Sequence, residues 1–122
     1  MSSEVPEHGL GHLRIVLTAN AYVGPGRADL LEGIERTGSI AAAGKAMGMS
    51  YKRAWSLVQA LNEGFGRPLV EASRGGAGQG GAVLTPLGRQ VLARYRAMQA
   101  RTRAAIADDV AALRALIEGS SG

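Results

Sequence analysis

Two short apolar-periodic segments, separated by only three residues, constrain this chain more than any other feature. Ile40, Ala43 and Met47 recur at the spacing of one helix face, and Ala54, Val58, Leu61 and Phe65 repeat that spacing from residue 51 onwards. Between them lies Gly48-Met49-Ser50, with Gly suited to end the first helix and Ser to cap the second. Gly38 and Ser39 play the same stop-and-start role upstream. Two helices joined by a short Gly-containing turn are the signature of a helix-turn-helix, although a generic αα-hairpin shares it.

The flanks narrow the choice. Residues 68–72 (PLVEA) read as a strand, 73–81 (SRGGAGQGG) as a Gly-rich tip, and Ala82, Val83 and Leu84 as a returning strand. A β-hairpin directly after a helix-turn-helix is the wing of a winged helix. Thr85-Pro86 then supplies a cap and a first-turn proline for a last helix. Its apolar positions run Leu87, Val91, Tyr95, Met98, Thr102, Ile106, Val110, Leu113 and Ile117. Unbroken to Glu118, such a helix would be on the order of 50 Å long. That exceeds a compact domain of this size, so its stripe calls for a second copy of the chain. Val91, Tyr95, Met98, Thr102, Ile106 and Leu113 are the expected homodimer contacts.

Upstream, Leu13, Ile15 and Leu17 alternate as in a half-buried strand, which Gly24-Pro25-Gly26 ends. A first helix is expected from Ala28, burying Leu30, Leu31 and Ile34, with Asp29 and Glu32 in its opening turn. The expected fold class is therefore mainly α with a small β wing. The winged helix-turn-helix would span 13–118, including a dimerisation helix at 86–118, between a flexible arm at 1–12 and a flexible tail at 119–122.

Charge locates the function. Of 122 residues with a formal net charge of +4, residues 39–103 hold ten Lys and Arg against Glu63 and Glu71, a net +8. The segments on either side are each −2, so a basic block inside an otherwise acidic chain points to a polyanionic partner. Cys is absent, which excludes disulfides, thiolate zinc sites and Cys nucleophiles. The two histidines, His8 and His12, sit among glycines with no carboxylate cluster beside them, so neither a metal site nor a cofactor is expected. No catalytic constellation appears, and an enzyme is not expected. Gly76, Gly78 and Gly81 match G-x-G-x-x-G formally, but a strand intervenes before the next helix, so no phosphate-cradling loop follows. No apolar run approaches the roughly 20 residues of a membrane span, and the N-terminus lacks a signal-peptide pattern. A cytoplasmic location, without a membrane partner, is the expectation.

In a helix-turn-helix the second helix enters the major groove of duplex DNA N-terminus first. Here that end carries Ser50, Tyr51, Lys52 and Arg53, with Ser56 one turn on beside Lys52. Ser50 can address a phosphate, while Lys52 or Arg53 can reach guanine O6 and N7. Ser39 is expected to hold a second phosphate through its backbone N–H, although both serines are helix caps whether or not DNA is bound. Arg74 and Gln79 on the wing suit minor-groove or phosphate contact. Trp55 is expected as a core anchor, with Tyr51 packing beside it.

The run GSIAAAGKAMGMSYKRAW, followed by LNE and LVEASRGGAGQGGAVLTPLG, resembles the DNA-binding domain of ModE-type molybdenum-responsive transcription regulators. The likeness covers roughly residues 26–100; its most specific pieces are SYK-x-AW and the GG-x-G-x-GGAVLT wing. The resemblance implies a LysR-like winged helix, a homodimer joined through its helices, and a palindromic operator. Ser50, Tyr51, Lys52 and Trp55 fall on the family's recognition-helix motif and residues 75–81 on its wing, with Ala77 where family members carry lysine. Such regulators sense molybdate in C-terminal β-barrel domains, which these 122 residues do not contain, so molybdate is not expected to bind this chain directly. A winged helix that binds a protein partner is the alternative. Positive potential on the recognition helix and wing would favour DNA, and an apolar patch there a protein.

Overall fold

The computed structural model describes residues 5–74 and 80–119. A two-residue strand β1 (Ile15–Val16) pairs antiparallel with β2 (Tyr22–Val23), and three helices follow: α1 (Pro25–Thr37), α2 (Ile40–Ala46) and α3 (Tyr51–Phe65). A second antiparallel pair, β3 (Val70–Arg74) and β4 (Gly80–Leu84), precedes the long α4 (Pro86–Gly119). This is the mainly helical architecture with a small β wing that the sequence predicts.

The core explains why so alanine-rich a chain folds. Leu30, Leu31 and Ile34 of α1 meet Ala43 of α2 and Ala54, Val58 and Leu61 of α3, with Leu69, Val70, Ala82 and Leu84 closing the wing side. Small residues set the helix spacing: a Cβ added at Gly44 would come within 2.8 Å of the Ala54 Cβ. The helix-turn-helix turn needs φ of +75° at Gly48, which a side chain would disfavour.

Several boundaries differ from the sequence reading. The expected first strand is half of a small hairpin, whose turn is held by Thr18 Oγ1 accepting from Asn20 N (3.1 Å) and Ala21 N (3.0 Å). Tyr22 on the returning strand lies between the guanidiniums of Arg14 and Arg27, each 3.7 Å from its ring centre. Helix α1 starts three residues early, at Pro25, because a proline in the first position forfeits no hydrogen bond. Asp29 and Glu32 consequently lie beyond its opening turn. They face α4 instead, where Arg96 donates to Asp29 Oδ1 (2.8 Å) and Glu32 Oε1 (2.7 Å). Burial opposes the Arg96 charge, but the hydrogen bonds to these two carboxylates outweigh it and raise its pKa.

Helix α4 has two regimes. Its start is locked to the wing: the Thr85 hydroxyl donates to Pro68 O (2.8 Å) and accepts from Gly88 N (2.9 Å), and Gly88 packs directly on the Leu69 carbonyl. Tyr95, expected at the homodimer contact, is instead completely buried in the chain's own core, where its hydroxyl donates to Leu13 O at 2.6 Å. Burial, foremost, raises its pKa. Past Arg96 the helix leaves the core, and Leu113 and Leu116 are exposed. The N-terminal segment touches this distal half, with Gly9 against Val110 and Arg114 donating to Pro6 O at 3.2 Å.

Candidate nucleic-acid interface

Two capped helix starts form one end of the molecule. Ser39 Oγ accepts from Ala42 N (3.0 Å) at α2, and Ser50 Oγ accepts from Arg53 N (3.1 Å) at α3. These are the bonds the sequence calls for, because each serine precedes an apolar-periodic run. One expectation changes: the Ser39 backbone N–H donates to Thr37 Oγ1 (3.2 Å), so a phosphate there would meet the Ser39 hydroxyl instead. At α3 the N–H groups of Tyr51 and Lys52 have no intrahelical acceptor, as at any helix start. Tyr51, Lys52, Arg53 and Ser56 are all exposed.

The wing root is fixed to this end by backbone. Gly38, with φ of +73°, turns its carbonyl to accept from Ala82 N at 2.9 Å. Asn62 does the same from α3: its Oδ1 accepts from Leu69 N (2.8 Å) and Val70 N (3.3 Å), and its Nδ2 donates to Val70 O (3.2 Å). Sequence reasoning missed this residue, since a half-buried Asn late in an amphipathic helix has no local signature. Arg74 ends β3 opposite Gly80. Gln79, expected at the wing tip, lies outside the described residues.

Trp55 overturns an expectation. It is not a core anchor: it remains 46% exposed, and Tyr51, one turn earlier, is 57% exposed. Alanines at 43 and 54 already fill the helix–helix contact, leaving no room for an indole beneath. Both rings line a groove of about 360 Å³ between α3 and the wing, together with Ile40 and Ala41 of α2, Gln59 of α3, and Glu71 and Ala72 of β3. The Ser39 hydroxyl and two aromatic faces thus meet in one groove, and Lys52 and Arg53 are exposed on the same first turn of α3.

A second groove, of about 700 Å³, lies along α4 on a different surface. It is lined by Ile15, Leu17, Phe65, Leu87, Val91 and Met98. Thr102 and Ile106 continue half-buried along the same helix, and Leu113 follows exposed. Among the described residues no cluster of three His, Cys, Asp or Glu could hold a metal, and no helix is long and apolar enough to cross a membrane.

Comparison with known proteins agrees with this geometry. Residues 27–89, from α1 to the start of α4, match the family described as bacterial regulatory helix-turn-helix protein, lysR family. The molybdenum-pterin-binding protein MopB of Rhodobacter capsulatus is 50% identical over 80 residues, which is 66% of this chain and 30% of MopB. The DNA-binding transcriptional dual regulator ModE of Escherichia coli K12 is 39% identical over 83 residues, 68% of this chain and 32% of that protein. The chain therefore spans about a third of the length of these relatives. Among solved structures, the CbnR DNA-binding domain in complex with DNA superposes with a TM-score of 0.55 at 25% identity, covering 71% of this chain and 95% of that one. VV2_1132, a LysR-family transcriptional regulator, shares the fold with a TM-score of 0.51 at 19% identity, over 68% of this chain and 27% of that one.

Proposed function

The chain belongs to the bacterial regulatory helix-turn-helix proteins of the lysR family, and from that membership we propose that it is a sequence-specific, duplex-DNA-binding transcriptional regulator. The observation that carries this reading is the single end of the fold where two serine-capped helix starts stand beside exposed Lys52 and Arg53, flanked by a wing. The Ser50 and Ser39 hydroxyls take phosphates, the start of α3 enters the major groove, and Lys52, Arg53 and Ser56 face base edges. Phosphate contact by Arg74 and Gln79 of the wing is part of the same proposal. Val91, Met98, Thr102, Ile106 and Leu113 meet a second copy along α4, so a palindromic operator is read by a homodimer; Tyr95 has no part in that contact. The names of the relatives make molybdenum handling the natural class of target genes.

Exposed Tyr51 and Trp55 are the one observation on which the alternative, a protein-binding winged helix, would rest, and salt dependence separates the two. A dimer that neutralises about 6–10 phosphates loses on the order of 10³–10⁵ in duplex affinity between 50 and 200 mM salt. Selection of duplexes from a random library at low salt, followed by salt titration, tests this. A flat response, or no enriched duplex, overturns the regulator reading.

A further inference from the structure

The two aromatic rings beside the cations have no role yet. Neither ring is part of the core: both are about half exposed, on the flank of α3 beside the Ala54–Val58–Leu61 face that fills it. They stand four residues apart, hence one above the other on the same side of α3. Lys52 and Arg53 between them carry the charges that draw a duplex to this end.

The apolar group that a major groove offers at base edges is the C5-methyl of thymine. We propose that Tyr51 and Trp55 are specificity-determining residues that pack on thymine methyls in the major groove, with Ile40 and Ala41 forming the second wall of the Trp55 contact. This rests on the regulator reading above and deepens it. One helical turn advances about 5.4 Å, so the two rings address different base pairs rather than one. A protein partner is the weaker occupant, because this apolar surface is small, has the Ser39 hydroxyl in its lining and lies on the same helix start as the exposed cations Lys52 and Arg53, which call for an anion. Glu71 on the far wall accepts hydrogen bonds only; it suits a cytosine amino group and repels a phosphate, which keeps the groove for bases.

The test removes the methyl and nothing else. Duplexes enriched from a random library by the full chain are resynthesised with each thymine replaced singly by deoxyuridine, which keeps every hydrogen-bonding group. At one or two positions per half-site the chain should bind about three- to fivefold more weakly, the worth of one buried methyl. Trp55→Ala should bind the parent duplex more weakly and be indifferent to deoxyuridine at one of those positions, and Tyr51→Ala at another. Trp55→Phe, which keeps an apolar face, should retain a methyl preference. Melting curves confirm that each variant is folded. Equal affinity of the unaltered chain for every deoxyuridine duplex overturns the proposal, as does a methyl penalty that persists undiminished in both alanine variants. Unchanged duplex binding by Trp55→Ala overturns it too and assigns the rings to a protein partner. If no duplex is enriched at all, the regulator reading falls and this inference with it.

Discussion

Single residues on the interface divide into those that read and those that hold. Arg53, in the first turn of α3 with its side chain exposed, has the planar donor pair that matches guanine O6 and N7. Arg53→Ala should cost about 1–3 kcal/mol on the cognate duplex and relax preference at one base pair. Arg74→Ala, at the end of β3, should weaken all duplexes alike and lower the salt slope by about one per chain; titrations on cognate and scrambled duplexes distinguish the two. In the core, Tyr95→Phe strands the Leu13 carbonyl and should cost about 1–2 kcal/mol at pH 7. Its folded pKa lies above tyrosine's usual value of about 10, so the stability it contributes is complete below pH 10 and is lost as pH rises through the folded value. Melting temperatures taken at pH 7 and pH 11 should therefore show the gap between wild type and Tyr95→Phe narrowing. The caps at Ser39 and Ser50 were legible in the sequence because capping is local chemistry. The exposure of Trp55 was not, since an i, i+4 pattern marks a face without saying what fills it.

At the level of elements, the helix-turn-helix and wing could be read from glycine placement and the switch from helical to alternating period. The β1–β2 hairpin could not. Two-residue strands show no period, and their stability comes from the cation–aromatic stack on Tyr22 and the Thr18 turn, which join residues the eye does not pair. The junction between wing and α4 is the least forgiving part of the fold. A side chain at Gly88 would collide with backbone at Leu69, which cannot swing away, so Gly88→Ala should lower the urea-unfolding free energy by more than about 2 kcal/mol. Gly26, in the first turn of α1 with open space around it, supplies the opposite sign. Gly26→Ala should stabilise by about 0.4–1 kcal/mol, because it restricts the unfolded chain without touching the folded one.

For the whole molecule, the decisive quantity is the length of α4: 34 residues, or about 50 Å. The sequence disclosed that length through an uninterrupted stripe, but not where the stripe changes owner. Tyr95 and Leu92 belong to the core, whereas Leu113 and Leu116 have no core to enter. Light scattering should find a species of twice 12.6 kDa, and a chain ending near Met98 should be monomeric or aggregate. A monodisperse full-length monomer at micromolar concentration would refute the homodimer. Nor was it foreseeable that Pro6 and Gly9 meet the distal half, because those contacts join residues more than a hundred positions apart. The pin between Arg96 and the carboxylates Asp29 and Glu32 gives this helix a mechanical character. From Arg96 to Gly119 it projects about 35 Å, so a tilt of about 5° at the pin moves its far end by about 3 Å. One base-pair step along DNA is about 3.4 Å. In the proposed homodimer, a shift of that size at the far end of α4 would therefore correspond to about one base pair in the spacing of the two half-sites that the pair spans.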